Sequence, residues 1–173
     1  MAEITKLWIA DKMREIMKRK PLSKIRVTEI CEAAEIERPT FYYHFKDKYD
    51  LVAWMFYHKA YETDVISVRS AAKAMSQMKN DMIFYKRAYE DPSKNALWKY
   101  MVEYFAARYT ALAKEKLGTD VLDTQLSYSI RFYCMGAVGM TQEWVLNDNI
   151  TSAETIVKMM FASMPESLRK IYF

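Results

Sequence analysis

The residues best equipped for chemistry are crowded between positions 38 and 48. Arg38, Thr40, Tyr42, Tyr43, His44 and Lys48 bring a guanidinium, three hydroxyls, an imidazole and an ammonium into one short stretch. An arginine fork can pair with O6 and N7 of a guanine, and hydroxyl and ammonium donors suit phosphate oxygens. Catalysis has far less support. The histidines are His44 and His58, neither in a Glu-x-x-His spacing, and no carboxylate cluster suggests a di-iron bundle. No nucleophile elbow, phosphate loop or metalloprotease helix occurs. The expectation is a protein that is not an enzyme and needs no cofactor or metal. Cys31 and Cys134 stand alone, without metal or redox spacing, as inert reduced core thiols would. No apolar run approaches a membrane span, and charge near the N-terminus occupies the place of a signal peptide's apolar stretch. A soluble cytoplasmic protein without membrane contact is expected.

These groups must be positioned by helices. Of 173 residues 51% are hydrophobic and 28% charged, which argues against disorder. Three Gly and four Pro are too few for the turns of a β-sandwich or doubly wound fold, and 40–91 and 93–164 contain no proline. The fold class is all-α. A first helix over about 4–19 has Leu7, Trp8, Met13, Ile16 and Met17 facing inward, and Pro21 ends it. Val27, Ile30, Cys31 and Ala34 give a short second helix at i, i+3, i+4 and i+7. After Glu35-Ile36-Glu37 a third begins, where Pro39 is tolerated in the first turn. Its Phe41 and Phe45 share one face, with the polar groups opposite. Asp47 or Asp50 caps a fourth helix whose stripe is Leu51, Met55, His58 and Val65. Further helices are expected over about 71–90, 94–117, 120–147 and 152–163, then a C-terminal piece. Breaks fall at Asp91-Pro92-Ser93, Gly118-Thr119-Asp120 and Asn147-Asp148-Asn149, and Thr151-Ser152-Ala153-Glu154 has capping-box spacing.

Two short helices joined by three residues, the second exposing polar and aromatic groups, describe a helix-turn-helix. Phe41 and Phe45 would anchor the second helix so that residues between them enter a major groove. The same pattern also suits a helical hairpin with surface tyrosines. Charge does not separate the two. The net charge is only +4, and the acid-free run Lys18, Arg19, Lys20, Lys24, Arg26 fits a solvated helix end as well as a polyanion site.

Residues 26–52, and above all Thr40-Phe41-Tyr42-Tyr43-His44-Phe45 followed by Lys48 and Leu51, resemble the DNA-binding signature of the TetR family of transcriptional regulators. The likeness covers about residues 5–55. It implies an N-terminal three-helix DNA-binding domain, 1–48, joined to a helical regulatory and dimerisation domain, 49–173. It implies DNA contacts from Arg26, Thr28, Arg38, Pro39, Thr40, Tyr42, Tyr43, His44 and Lys48, and a homodimer on a double-stranded operator. Three positions depart from the pattern. Arg26 replaces a Ser or Thr cap, Glu35 replaces the turn glycine, and Glu37 replaces a Ser cap.

By the same analogy residues 50–173 hold a small apolar or aromatic effector and the dimer contacts. Phe84, Tyr85, Trp98, Met101, Phe105 and Tyr133 are the effector candidates, although aromatic and Met residues at helical spacing equally describe core. Gly136 and Gly139, with Met140, Trp144 and Met160, are the dimer candidates; the alternative is that the glycines relieve packing inside one protomer. Residues 136–148, ending Gln142-Glu143-Trp144-Val145-Leu146-Asn147-Asp148, are similar to the family branch that contains the dihydroxyacetone-kinase operon activator. That likeness implies activation, or control by a protein co-regulator. Repression controlled by an effector is the leading expectation. Activation or sensing through a protein partner, with weak or lost DNA binding, is the alternative.

Overall fold

A computed structural model describes residues 2–60, 66–93, 96–147 and 150–173, with backbone only for 59 and 60. Among these residues every regular element is a helix. Ten are α-helices: α1 Ala2–Arg19, α2 Val27–Ala34, α3 Arg38–His44, α4 Lys48–Ala60, α5 Val68–Met78, α6 Met82–Tyr89, α7 Leu97–Leu117, α8 Thr124–Asn147, α9 Ala153–Ala162 and α10 Glu166–Tyr172. Short 3₁₀ turns occupy Leu22–Lys24 and Lys79–Asp81. The second of these splits the helix expected over 71–90. Val65 and Asp148-Asn149, named above in a stripe and a break, lie outside the described residues.

The chain packs as two compact units, Met1–Glu62 with Asp81–Leu97, and Thr63–Asn80 with Trp98–Phe173. In the first, α1 buries Ile9, Ala10, Met13, Ile16 and Met17 against α2 and α6. Leu7 and Trp8 do not face inward as expected, being 44% and 46% exposed. Trp8 lies along the surface, where its indole N–H donates to the Ala34 carbonyl at 2.9 Å and Lys12 covers its ring. α6 is held by an ion pair of Arg14 with Asp81, and the Arg14 guanidinium also lies over Phe84. Lys18 and Arg19 fall in the last turn of α1, where cations complement the macrodipole. Leu51 and Met55 are buried on α4 as its stripe requires. His58, in contrast, is exposed and stacks on Trp54 at 4.8 Å.

In the second unit α5 packs along α9, and α8 against α9 and α10. Tyr109, Ala113, Ile130, Tyr133, Cys134, Met164, Leu168 and Tyr172 form one core. Tyr172 donates to the Tyr109 carbonyl at 2.8 Å, and the two rings meet edge-on. Burial pushes the Cys134 thiol up to about 12, so it stays protonated and inert. Gly118 ends α7 at φ +63°, a conformation that costs glycine nothing. The cap of α9 is Ser152, whose hydroxyl accepts from Thr155 N–H at 3.1 Å. That sits one residue beyond the Thr151–Glu154 frame, and Glu154 pairs instead with Lys158.

Candidate nucleic-acid interface

α2 and α3 owe their mutual angle to three residues. Glu35 adopts φ 53°, ψ 43°, the left-handed conformation that glycine usually supplies. Its N–H then bonds the Glu32 carbonyl at 3.2 Å and the Ile36 N–H bonds the Cys31 carbonyl at 3.0 Å, closing α2 as a Schellman motif. A side chain at that position costs on the order of 1 kcal/mol, but the turn keeps its geometry. α3 starts from the Glu37 carbonyl, which accepts from Thr40 and Phe41 N–H, with Pro39 in the first turn. The Glu37 side chain makes no cap hydrogen bond.

The start of α2 is capped from the opposite direction to the usual one. Arg26 is the N-cap residue, and the Glu29 carboxylate accepts its backbone N–H at 2.8 Å while pairing with Lys20. The Lys20 bond, then the Arg26 N–H, holds the Glu29 carboxyl below its ordinary pKa. The Arg26 side chain is thereby relieved of capping and is exposed.

Burial sorts α3 into two faces. Phe41 and Phe45 are fully buried, their rings 5.8 Å apart, with Phe45 edge-on to Trp54. Arg38, Pro39, Tyr42 and Tyr43 are exposed, and Thr40 and His44 are half-buried beside them. Tyr43 is 80% exposed, although an aromatic ring on a free surface forfeits apolar burial. The Arg38 guanidinium lies over the Tyr42 ring and His44 meets Tyr43 edge-on, so donors and rings interleave. Arg26 and Thr28, at the start of α2, are exposed as well. Lys48 differs. Its ammonium donates to the carbonyls of Leu22, Ser23 and Ile25 at 2.7, 3.1 and 2.9 Å, which uses all three N–H groups within the protein. Asp47 caps α4 by accepting from Tyr49 and Asp50 N–H, and Asp50 accepts from Lys46 N–H. Of the two expected caps, Asp47 is the one that caps α4.

The effector candidates are shared between the two units. Phe84 and Tyr85 are buried in the first unit, whereas Trp98, Met101, Phe105 and Tyr133 belong to the second. Tyr133 is part of the second unit's core. An open cavity of about 560 Å³ in the second unit has other walls, Ile66, Arg108, Leu112, Lys116 and Tyr172 among them. The dimer candidates divide too. Gly136, Gly139 and Met140 are exposed, Met160 is half-buried, and Trp144 is 2% exposed. Trp144 offers no surface because its indole N–H is tied to the Thr151 carbonyl at 2.9 Å.

The buried anchor, the exposed donor face and the three-residue turn define a helix-turn-helix DNA-binding head on an all-helical transcription regulator. The pattern of the family described as "Bacterial regulatory proteins, tetR family" matches residues 9–55. A second, "Transcriptional regulator C-terminal region" of the TetR type, matches residues 70–166. The chain belongs to the TetR family, whose members are regulators rather than enzymes. No curated protein sequence matches it. A solved structure of similar fold is titled "Dihydroxyacetone kinase operon activator DhaS", with 17% identity, TM-score 0.65, and coverage of 97% of this chain and 98% of that one. Among the described residues no helix is long and apolar enough to cross a membrane, and no group of three His, Cys, Asp or Glu could hold a metal ion.

Proposed function

We propose that the chain is a homodimeric, sequence-specific repressor in which 1–48 read an operator and 49–173 dimerise and respond to a small effector. The observation that carries the reading is the two-faced α3. Two buried phenylalanines hold a helix whose outer face is Arg38, Pro39, Thr40, Tyr42, Tyr43 and His44. Arg38 is the candidate for base reading, with Arg26, Thr28, Thr40 and the tyrosines fixing register on phosphates. The left-handed Glu35 supports this against a head that no longer reads DNA, because the turn closes without its glycine.

Dimerisation is supported by α8. Tyr128, Phe132, Gly136, Gly139 and Glu143 recur at helical spacing on an exposed stripe, flanked by exposed Met135 and Met140. A Cβ added at Gly136 or Gly139 would meet nothing within 4 Å, so neither glycine relieves crowding inside its own protomer. A second copy's helix is what their missing side chains would admit. Two recognition helices about 34–36 Å apart would then enter successive major grooves. The cavity of about 560 Å³ bounded by Arg108 and Lys116 has room for a small effector.

A second reading, activation of transcription, is favoured by the name of the similar structure, an operon activator. Fluorescence anisotropy on a duplex selected by this protein from a random pool tests DNA reading. Affinity should fall by orders of magnitude between about 50 and 200 mM salt and beat scrambled duplex about a thousandfold. Equal, salt-insensitive binding to both would refute it. A reporter carrying the selected site separates the outputs, since repression lowers and activation raises its transcription.

A further inference from the structure

The carbonyls that Lys48 holds close the 3₁₀ turn Leu22–Lys24 and the residue leading into α2. Burial lowers the Lys48 pKa, and the negative charges of Asp91, then Asp47 and Glu29, push it back up. Asp91 lies in the turn after α6. Its Oδ1 accepts Ser93 N–H at 2.8 Å, while Oδ2 is buried without a hydrogen-bond partner among the described residues. A carboxylate only 5% exposed and half-satisfied is costly unless a cation's field compensates it. Among the charges that favour a charged Lys48, that of Asp91 is the largest, and the three Lys48 N–H groups are committed to carbonyls.

We propose that Lys48 is a positioning residue for DNA reading, kept in place by the charge of Asp91. Its ammonium binds the start of α4 to the turn feeding α2, so the segment carrying α3 is pinned at both ends. The end of α6 holds the pin by charge alone. The inference rests on α3 meeting DNA but concerns what fixes its pose.

The test compares Lys48→Met, Lys48→Arg and Asp91→Asn with the wild type on the selected duplex and on a scrambled one, across salt. Asp91→Asn removes a negative charge from a protein that binds a polyanion, yet is expected to weaken selected-duplex binding about tenfold, a coupling of ordinary size. Lys48→Met should do the same or more without changing the slope of log K against log salt. Lys48→Arg should fail to rescue, because a planar fork cannot meet three converging carbonyls. A direct phosphate contact predicts the reverse: a slope smaller by about 0.9 for Lys48→Met, equal loss on both duplexes, and rescue by arginine. That outcome, or unchanged or tighter binding by Asp91→Asn, overturns the proposal. Amide exchange over residues 36–45 without DNA is the independent arm. It should quicken about tenfold in Asp91→Asn, and unchanged exchange overturns the proposal whether or not the protein proves to read DNA. Wild-type protein that ignores both duplexes would overturn the functional reading alone.

Discussion

Helices α3 and α8 each expose two aromatic rings to solvent, and the neighbours of those rings differ. On α3, Tyr42 and Tyr43 stand among Arg38, Thr40 and His44, and every ring has a donor beside it. On α8, Tyr128 and Phe132 are 72% and 77% exposed on a stripe that continues through two glycines. Exposed apolar area supports the proposal that both are interaction surfaces. What surrounds the rings separates the partners. Donors and cations suit a phosphate backbone, whereas gaps left by glycines suit a close-packed helix.

The sharpest way to break this comparison is to remove an anchor from one side only. Phe41→Ala should cost about 3–5 kcal/mol in urea unfolding of the head and abolish DNA binding. Gly139→Glu should weaken dimerisation about a hundredfold through like-charge apposition, read by sedimentation equilibrium, while the monomer keeps its circular dichroism because the site is open. Arg38→Ala should cost about 1–3 kcal/mol of affinity for the selected duplex and leave the sedimentation profile unchanged. Glu35→Gly should stabilise the head by about 1 kcal/mol and leave both surfaces as they are. Loss of dimerisation in Arg38→Ala, or of folding in Gly139→Glu, would dissolve the distinction.

Much of the head was legible because its signals are local. Phe41 and Phe45 four apart, Pro39 in a first turn and Asp47 at a cap each state their role within a few residues, and each takes it. The misreadings share a different cause. Leu7 and Trp8 satisfy a helical period, but the α1 stripe that packs is centred on Ile9, Met13 and Met17, and only the fold decides which of two overlapping stripes is covered. The break at Lys79–Asp81 carries no proline or glycine to announce it. Lys48 sits in a basic motif, and the carbonyls that its ammonium binds lie more than twenty residues away in sequence. Trp144 looks like an interface anchor until the Thr151 carbonyl claims its indole. The cap at Ser152 lies one residue from the expected capping box, in a sequence that offers two adjacent hydroxyl residues, Thr151 and Ser152.

The chain passes from one compact unit to the other three times, near residues 62, 80 and 97, so neither unit is a single stretch of sequence. This bears on how such a protein can be cut and recombined. A chimera made by grafting residues 1–60 onto a foreign body would leave α6 behind. Arg14 would lose both Asp81 and Phe84, and Lys48 would lose the charge of Asp91. A transplant meant to move operator choice between relatives must carry 81–97 along with the front, as two inserted segments. The same arrangement limits exchange in nature: crossover in the interval between α4 and α6 separates parts that fold together, and the junctions compatible with an intact head lie beyond α6.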